Sequence, residues 1–154
     1  VFWRKQMRFQ FRGKSIKTNQ WYYGYYFKKL PFMPHPFSSK AEQERYESET
    51  EHWIIVQDGG DWGLPYSNGY VTIDPTTLGQ CTGMHVKTTK GHREYLYEGD
   101  IVDFYNAQFE VVWDKDSFRW LLVNGTFECH PLVVEMANTI VKVGNKYDIG
   151  QVSD

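Results

Sequence analysis

The most constraining feature of this sequence is a succession of short alternating runs in its C-terminal third, each too brief for a helix and each closed by turn residues. The runs cover 101–105, 109–113, 118–123, a stretch within 126–136, and 140–143. Asp114-Lys115-Asp116 and Asn124-Gly125 punctuate them, and Asn-Gly is the strongest short hairpin signal. Successive side chains of a strand face opposite ways, so a period of two with turn signals this close predicts strands. Several short strands at such spacing predict a small closed or half-closed β barrel. They are introduced by Tyr97-Glu98-Gly99-Asp100-Ile101-Val102, a polar turn leading into a strand, with Ile101 expected to point inward and Val102 outward.

The preceding part of the chain reads differently. Met7-Arg8-Phe9-Gln10-Phe11-Arg12 alternates apolar and polar residues, and a second run follows as Trp21-Tyr22-Tyr23-Gly24-Tyr25-Tyr26-Phe27. The pair predicts a β-hairpin with a longish loop at 13–19, and Gly24 inside so aromatic a strand predicts a bulge or a close backbone approach. Residues 28–40 carry Pro31, Pro34 and Pro36, which excludes a regular helix or a central strand there. Residues 41–51 hold five glutamates and read as a short solvent-exposed helix or an ordered loop. Strands are expected at 52–56 and 70–73, separated by a turn-rich stretch at 61–69. Asp74-Pro75-Thr76-Thr77-Leu78-Gly79 then has the punctuation of a short helix: a capping Asp, Pro at the first position, Gly at the exit. Residues 81–92 read as a polar loop. The fold class expected is therefore mostly β: an N-terminal aromatic hairpin region with loops and a short helix over 1–90, then a small barrel over 91–154.

At 154 residues the chain is long enough to bury a core of its own. Aromatic residues make up 18% of it, and large rings favour pleated, half-buried surfaces, which adds weight to β structure. No apolar run approaches the roughly 20 residues that span a bilayer, and no signal-peptide core opens the sequence. Cys81 and Cys129 do not make a disulfide framework, so the expectation is reduced thiols in a cytoplasm and no membrane partner. The net charge of -2 hides an asymmetry: Arg4, Lys5, Arg8, Arg12, Lys14, Lys17, Lys28, Lys29 and Lys40 precede the first acidic residue, Glu42, and the chain beyond is acidic.

An ordered set of pieces carries a family resemblance. These are Phe11-Arg12-Gly13-Lys14, Trp21 with Tyr23-Gly24, Asp74-Pro75-Thr76-Thr77-Leu78-Gly79-Gln80 with Thr82-Gly83, Tyr97-Glu98-Gly99-Asp100-Ile101-Val102, and Val143-Gly144-Asn145 with Tyr147. Together they resemble the YopX-like proteins of phages and prophages. The resemblance implies an SH3-like barrel in the C-terminal part, a phage or prophage origin, and no established activity. The chain departs from the family pattern at 84–96, which is longer than usual, and at 31–51, which has the look of an insertion.

Candidate sites are few. Glu98 and Asp100 are close carboxylates, but the turn logic makes Asp100 an acceptor for backbone N–H groups and Gly99 the bearer of an unusual dihedral, so all three are expected to be structural. Cys81 with His85 and Cys129 with His130 lack the paired spacing of a zinc site. No phosphate loop, nucleophile elbow or zinc-protease motif is present, so no catalytic residue, metal or cofactor is expected. The remaining candidate is the basic aromatic hairpin: Arg8, Arg12, Lys14, Trp21, Tyr23 and Tyr25. So many rings exceed what one hairpin buries, which predicts a surface for self-association or another protein. Rings beside cations also suit single-stranded nucleic acid, where bases stack and Lys or Arg track phosphates.

Overall fold

The computed structural model describes residues 10–33, 35–57, 68–125 and 128–148. It is mostly β, with eleven strands and one α-helix among the described residues, and it divides into two compact units at Leu78/Gly79.

The unit Gln10–Leu78 is built on four strands: β1 Phe11–Lys14, β2 Trp21–Lys29, β3 Glu51–Gln57 and β4 Asn68–Thr72. Each pairs antiparallel with the next. The β1–β2 loop is held by Ser15, whose backbone carbonyl and hydroxyl oxygens accept from Asn19, Lys17 and Thr18 amides. β2 changes partner in mid-strand: 21–24 pair with β1, and 25–29 with β3. Gly24 sits at this corner because a Cβ there would collide with the Ile55 backbone carbonyl, the close approach the sequence predicts. Beyond β4, Ile73 bridges to Ser15, and Asp74 N–H donates to the Lys14 carbonyl at 2.9 Å, tying the end of the meander back to β1. Among the described residues of this unit, Ile54 and Ile73 are almost fully enclosed.

Between β2 and β3 lies α1, Lys40–Glu49. Ser39 and Glu42 close a capping box, and Arg45 pairs with Glu49 one turn on at 2.7 Å. None of its residues is buried, so local bonds and the Phe32–Tyr46 ring contact hold it. After β4, Asp74 caps a 3-10 turn at Pro75–Thr77, whose Thr77 hydroxyl accepts from Lys14 N–H at 2.8 Å.

The second unit begins at Gly79. It comprises β5 Gly79–Thr88, β6 Arg93–Tyr97, β7 Asp100–Phe104, β8 Ala107–Asp114, β9 Arg119–Asn124, β10 Glu128–Pro131, a 3-10 turn Val134–Asn138, and β11 Val141–Asn145. The strands lie in the order β10-β9-β8-β7-β11-β5-β6, with β11 and β5 parallel and the other neighbours antiparallel. The core collects Val86, Leu96, Val102, Phe104, Phe109, Val111, Leu122 and Ile140.

Four expectations are corrected. Residues 81–92 are not a polar loop: they supply most of β5, which alternates inward at Cys81, Val86 and Thr88 and gains its stability from β6 and β11. The division therefore falls before β5, at 78/79 and not at 90/91. β7 has the opposite phase, since Val102 is fully buried and Ile101 only partly, because Asp100 faces inward and carries its alternate neighbours with it. The strand ladder is open, with no pairing between its ends β10 and β6 among the described residues, so a closed barrel is not formed. The turn-rich 61–67 and the start of the first strand, with Arg8, lie outside the described residues.

The corner at Gly24 generates a prediction. Gly24→Ala should destabilise by about 2–3 kcal/mol in urea titration, because backbone must move. Gly13→Ala, whose added methyl meets the end of the Ile73 side chain first and not backbone, should cost clearly less.

Candidate interaction surface

β2 presents Tyr23, Tyr25 and Phe27 at every second position, and these side chains are 44%, 49% and 48% exposed. Register sets Phe27 opposite Trp53, and Tyr25 opposite Ile55 and then Tyr70 on β4. The rings touch: Phe27 and Trp53 centroids are 6.0 Å apart, and Trp53 stacks on Tyr70 at 4.0 Å with an interplanar angle of 20°. Tyr70 is 60% exposed. The Trp53 indole N–H donates to the Glu51 carboxylate at 2.8 Å, while the Lys29 ammonium lies 4.9 Å from its ring centroid and 3.5 Å from Glu51. The indole is thus fixed from both ends, and a continuous aromatic face crosses three strands.

Of the residues expected here, Tyr23 and Tyr25 belong to this face. Arg12 and Lys14 lie opposite Tyr23 and Trp21 on the same side of the sheet but are not part of the exposed surface: they are 1% and 6% exposed, with the Arg12 Cζ 4.7 Å and the Lys14 Nζ 5.4 Å from the centroid of the Trp21 ring. The alternation separates them from Phe11 on the other side of β1, and both are buried with their cationic ends near the Trp21 ring. Phe27, Trp53 and Tyr70 are additional members. Phe27 was visible as the next step of the Tyr23, Tyr25 alternation, whereas Trp53 and Tyr70 join only through the register of three strands.

The other side of this sheet is tied by a 2.6 Å hydrogen bond between the Tyr26 hydroxyl and His52 Nδ1. Burial raises the Tyr26 pKa; burial, and secondarily the Lys28 charge, lowers that of His52.

Glu98, Gly99 and Asp100 form the turn between β6 and β7. Gly99 has a φ of +80°, a left-handed value that suits glycine, and Tyr97 N–H donates to the Asp100 carboxylate at 2.8 Å. The Lys142 ammonium lies 3.2 Å from Asp100 and 3.2 Å from Glu94, and donates to the Tyr95 carbonyl at 3.3 Å. This is a carboxylate compensated by a cation and a backbone amide. The nearby Cys81 thiol is buried, which pushes its pKa up and leaves it protonated and unreactive at neutral pH. Cys129 is exposed, and no group of three metal-ligating side chains occurs among the described residues. No described helix is long and apolar enough to cross a membrane.

No known family model, curated protein or solved structure matches the chain.

Two predictions follow from these contacts. Lys142→Met leaves the fully buried Asp100 without its cation and should cost about 3 kcal/mol in denaturant titration. His52 protonates less readily folded than unfolded, so its contribution is complete above about pH 6.5 and falls away as pH drops below that value. Thermal midpoints measured across pH 5–7 should decline less steeply on acidification for His52→Gln than for the wild type.

Proposed function

We propose that the chain is a non-enzymatic binding protein whose docking surface is the aromatic face of Tyr23, Tyr25, Phe27, Trp53 and Tyr70, and that its first occupant is a second copy of the chain. One observation carries the reading: large rings on adjacent strands are packed against each other yet left open to solvent. A contiguous apolar patch of this kind on a rigid sheet favours protein association, and Tyr and Trp supply contact area at small entropic cost. An enzymatic reading has no comparable support: among the described residues, the enclosed carboxylate is that of Asp100, and it is held by Lys142.

The YopX-like resemblance, with phage or prophage origin and a bacterial cytoplasm, is part of this reading. It is supported by where the shared pieces fall: Gly24 at the corner of β2, Asp74 capping its 3-10 turn, and Gly99 in its left-handed turn. The SH3-like character of the unit from Gly79 is supported by the β7–β10 meander, followed by a 3-10 turn and a return strand, β11, beside β7. Cys81 and Cys129, unbonded to each other, suit a reducing compartment.

A second reading, single-stranded nucleic acid on the same rings, draws on Lys28 and Lys29 at the end of β2. The burial of Arg12 and Lys14 removes two of the cations it would use. One experiment separates the two. Light scattering at high micromolar concentration should give an oligomer for the wild type and a monomer for Tyr25→Ser/Phe27→Ser/Tyr70→Ser, with fluorescence anisotropy showing no binding of labelled single-stranded DNA at low salt. A monomeric wild type overturns self-association, and salt-sensitive DNA binding lost in the triple variant transfers the face to nucleic acid.

A further inference from the structure

The unit from Gly79 contains a cleft of about 540 Å³ beside the β7–β8 hairpin. Its floor is Phe104, which is buried. Register places Val141, Asp103 and Gln108 in one row across β11, β7 and β8 along its wall. Asn106 and Thr139 complete the polar lining, and Tyr105 borders it.

Asp103 is exposed and is the one formally charged residue in the lining, which contains no Lys, Arg or His. Among the described residues its carboxylate makes no hydrogen bond or ion pair, and neither do the side-chain amides of Asn106 and Gln108. The Thr139 hydroxyl donates to the Met136 carbonyl at 3.0 Å, which leaves its oxygen able to accept. The cleft therefore offers a carboxylate and a hydroxyl oxygen as acceptors, and two side-chain amides that accept through oxygen or donate through nitrogen.

The hairpin turn adds an independent observation. Tyr105 and Asn106 both have left-handed backbones, with φ of 46° and 63°. Asn accepts that conformation readily, and Gly is the usual companion; a Tyr there is strained. Its ring gains little from burial to offset the strain, being 84% exposed, yet it is set against Phe104 at 4.4 Å between centroids. Bulky residues in sparsely populated backbone regions concentrate at ligand sites.

We propose that this cleft binds the guanidinium group of an arginine on a peptide segment. A guanidinium is planar, permanently charged and carries five donors and no acceptor, which matches a lining with one carboxylate, no cation and three further side chains able to accept. Asp103 receives it in a charge-assisted pair, Asn106, Gln108 and Thr139 take further N–H groups, and the Tyr105 ring covers its flat face. The aliphatic stem of the arginine lies along Val141.

The test is a two-dimensional NMR titration of the intact ¹⁵N-labelled chain with acetyl-Gly-Arg-Gly-amide. The control is the same peptide bearing citrulline, a neutral isostere of arginine. Saturable shifts confined to amides of 103–108 and 139–141 are expected, with affinity about fivefold or more weaker for citrulline and for Asp103→Asn. Tyr105→Gly should lose affinity by a similar factor while its thermal midpoint stays the same or rises, since Gly relieves the left-handed strain. Absence of saturable shifts, shifts located elsewhere, equal binding of the citrulline peptide, or unchanged affinity in both variants would overturn the proposal.

Discussion

The order of the strands from Gly79 onward depends on one buried ion pair. Lys142 on β11 reaches Asp100 at the head of β7 and, on its other side, Glu94 and the Tyr95 carbonyl of β6. Burying a carboxylate costs several kcal/mol, and attraction to a single ammonium seldom returns a surplus, so the pair is better understood as a device of register than as a reservoir of stability. Any slip of β11 along β7 would take the Lys142 ammonium away from the buried Asp100 carboxylate. The bulge between Lys142 and Gly144 belongs to the same constraint, because the register shift occurs immediately after the ammonium is seated. With β11 so placed, it can pair parallel with β5 on one edge and antiparallel with β7 on the other.

The unit Gln10–Leu78 solves a different problem. Four short strands enclose very little volume, and a glycine at the corner of β2 lets the Ile55 backbone approach closely, reducing that volume further. Among the described residues of this unit, Ile54 and Ile73 are its buried large apolar side chains. Alternation along β2 sets Tyr26 on the inner side, against Phe11 and His52, and sends Tyr23, Tyr25 and Phe27 outward. Once outside, they are held by one another: Phe27 against Trp53, Trp53 on Tyr70, with Lys29 and Glu51 fixing the indole. The exposed aromatic face is thus a consequence of a small core combined with a ring-rich strand, and its rigidity comes from contacts within the face.

How much of this was legible in the sequence follows from how local each signal is. The β1–β2 hairpin, the Asp74 cap, the Gly24 close approach and the short strands after Asp100 were all readable, because turn chemistry and period-two alternation act over a few residues. The α1 helix was readable more firmly than its glutamate face suggested, since Ser39-x-x-Glu42 is a capping box. β5 was not, because its polar residues gain strand character only from β6 and β11. The phase of β7 was missed because an aspartate ordinarily marks the wet face, and the lysine that brings Asp100 inside lies far along the chain. Arg12 and Lys14 were expected to be exposed for a related reason: their burial, near the Trp21 ring of the neighbouring strand, depends on contacts from outside β1.

That last displacement changes the meaning of the charge asymmetry. A cation-only N-terminal stretch suggests a phosphate-tracking surface, and such a surface works by exchanging condensed counterions for free Lys and Arg. Here Arg12 and Lys14 are buried against an indole, and Lys29 is shared between Trp53 and Glu51, so three of the cations are already engaged with rings or a carboxylate. Cation–π contacts of about 0.5–1 kcal/mol each do not forbid rearrangement, but drawing a buried guanidinium back to the surface would also undo its packing. What remains on the face is mainly apolar area, and association through apolar area responds weakly to salt. The same sequence feature that first points to nucleic acid therefore, once its partners are counted, supports the proposed protein-binding reading of the aromatic face.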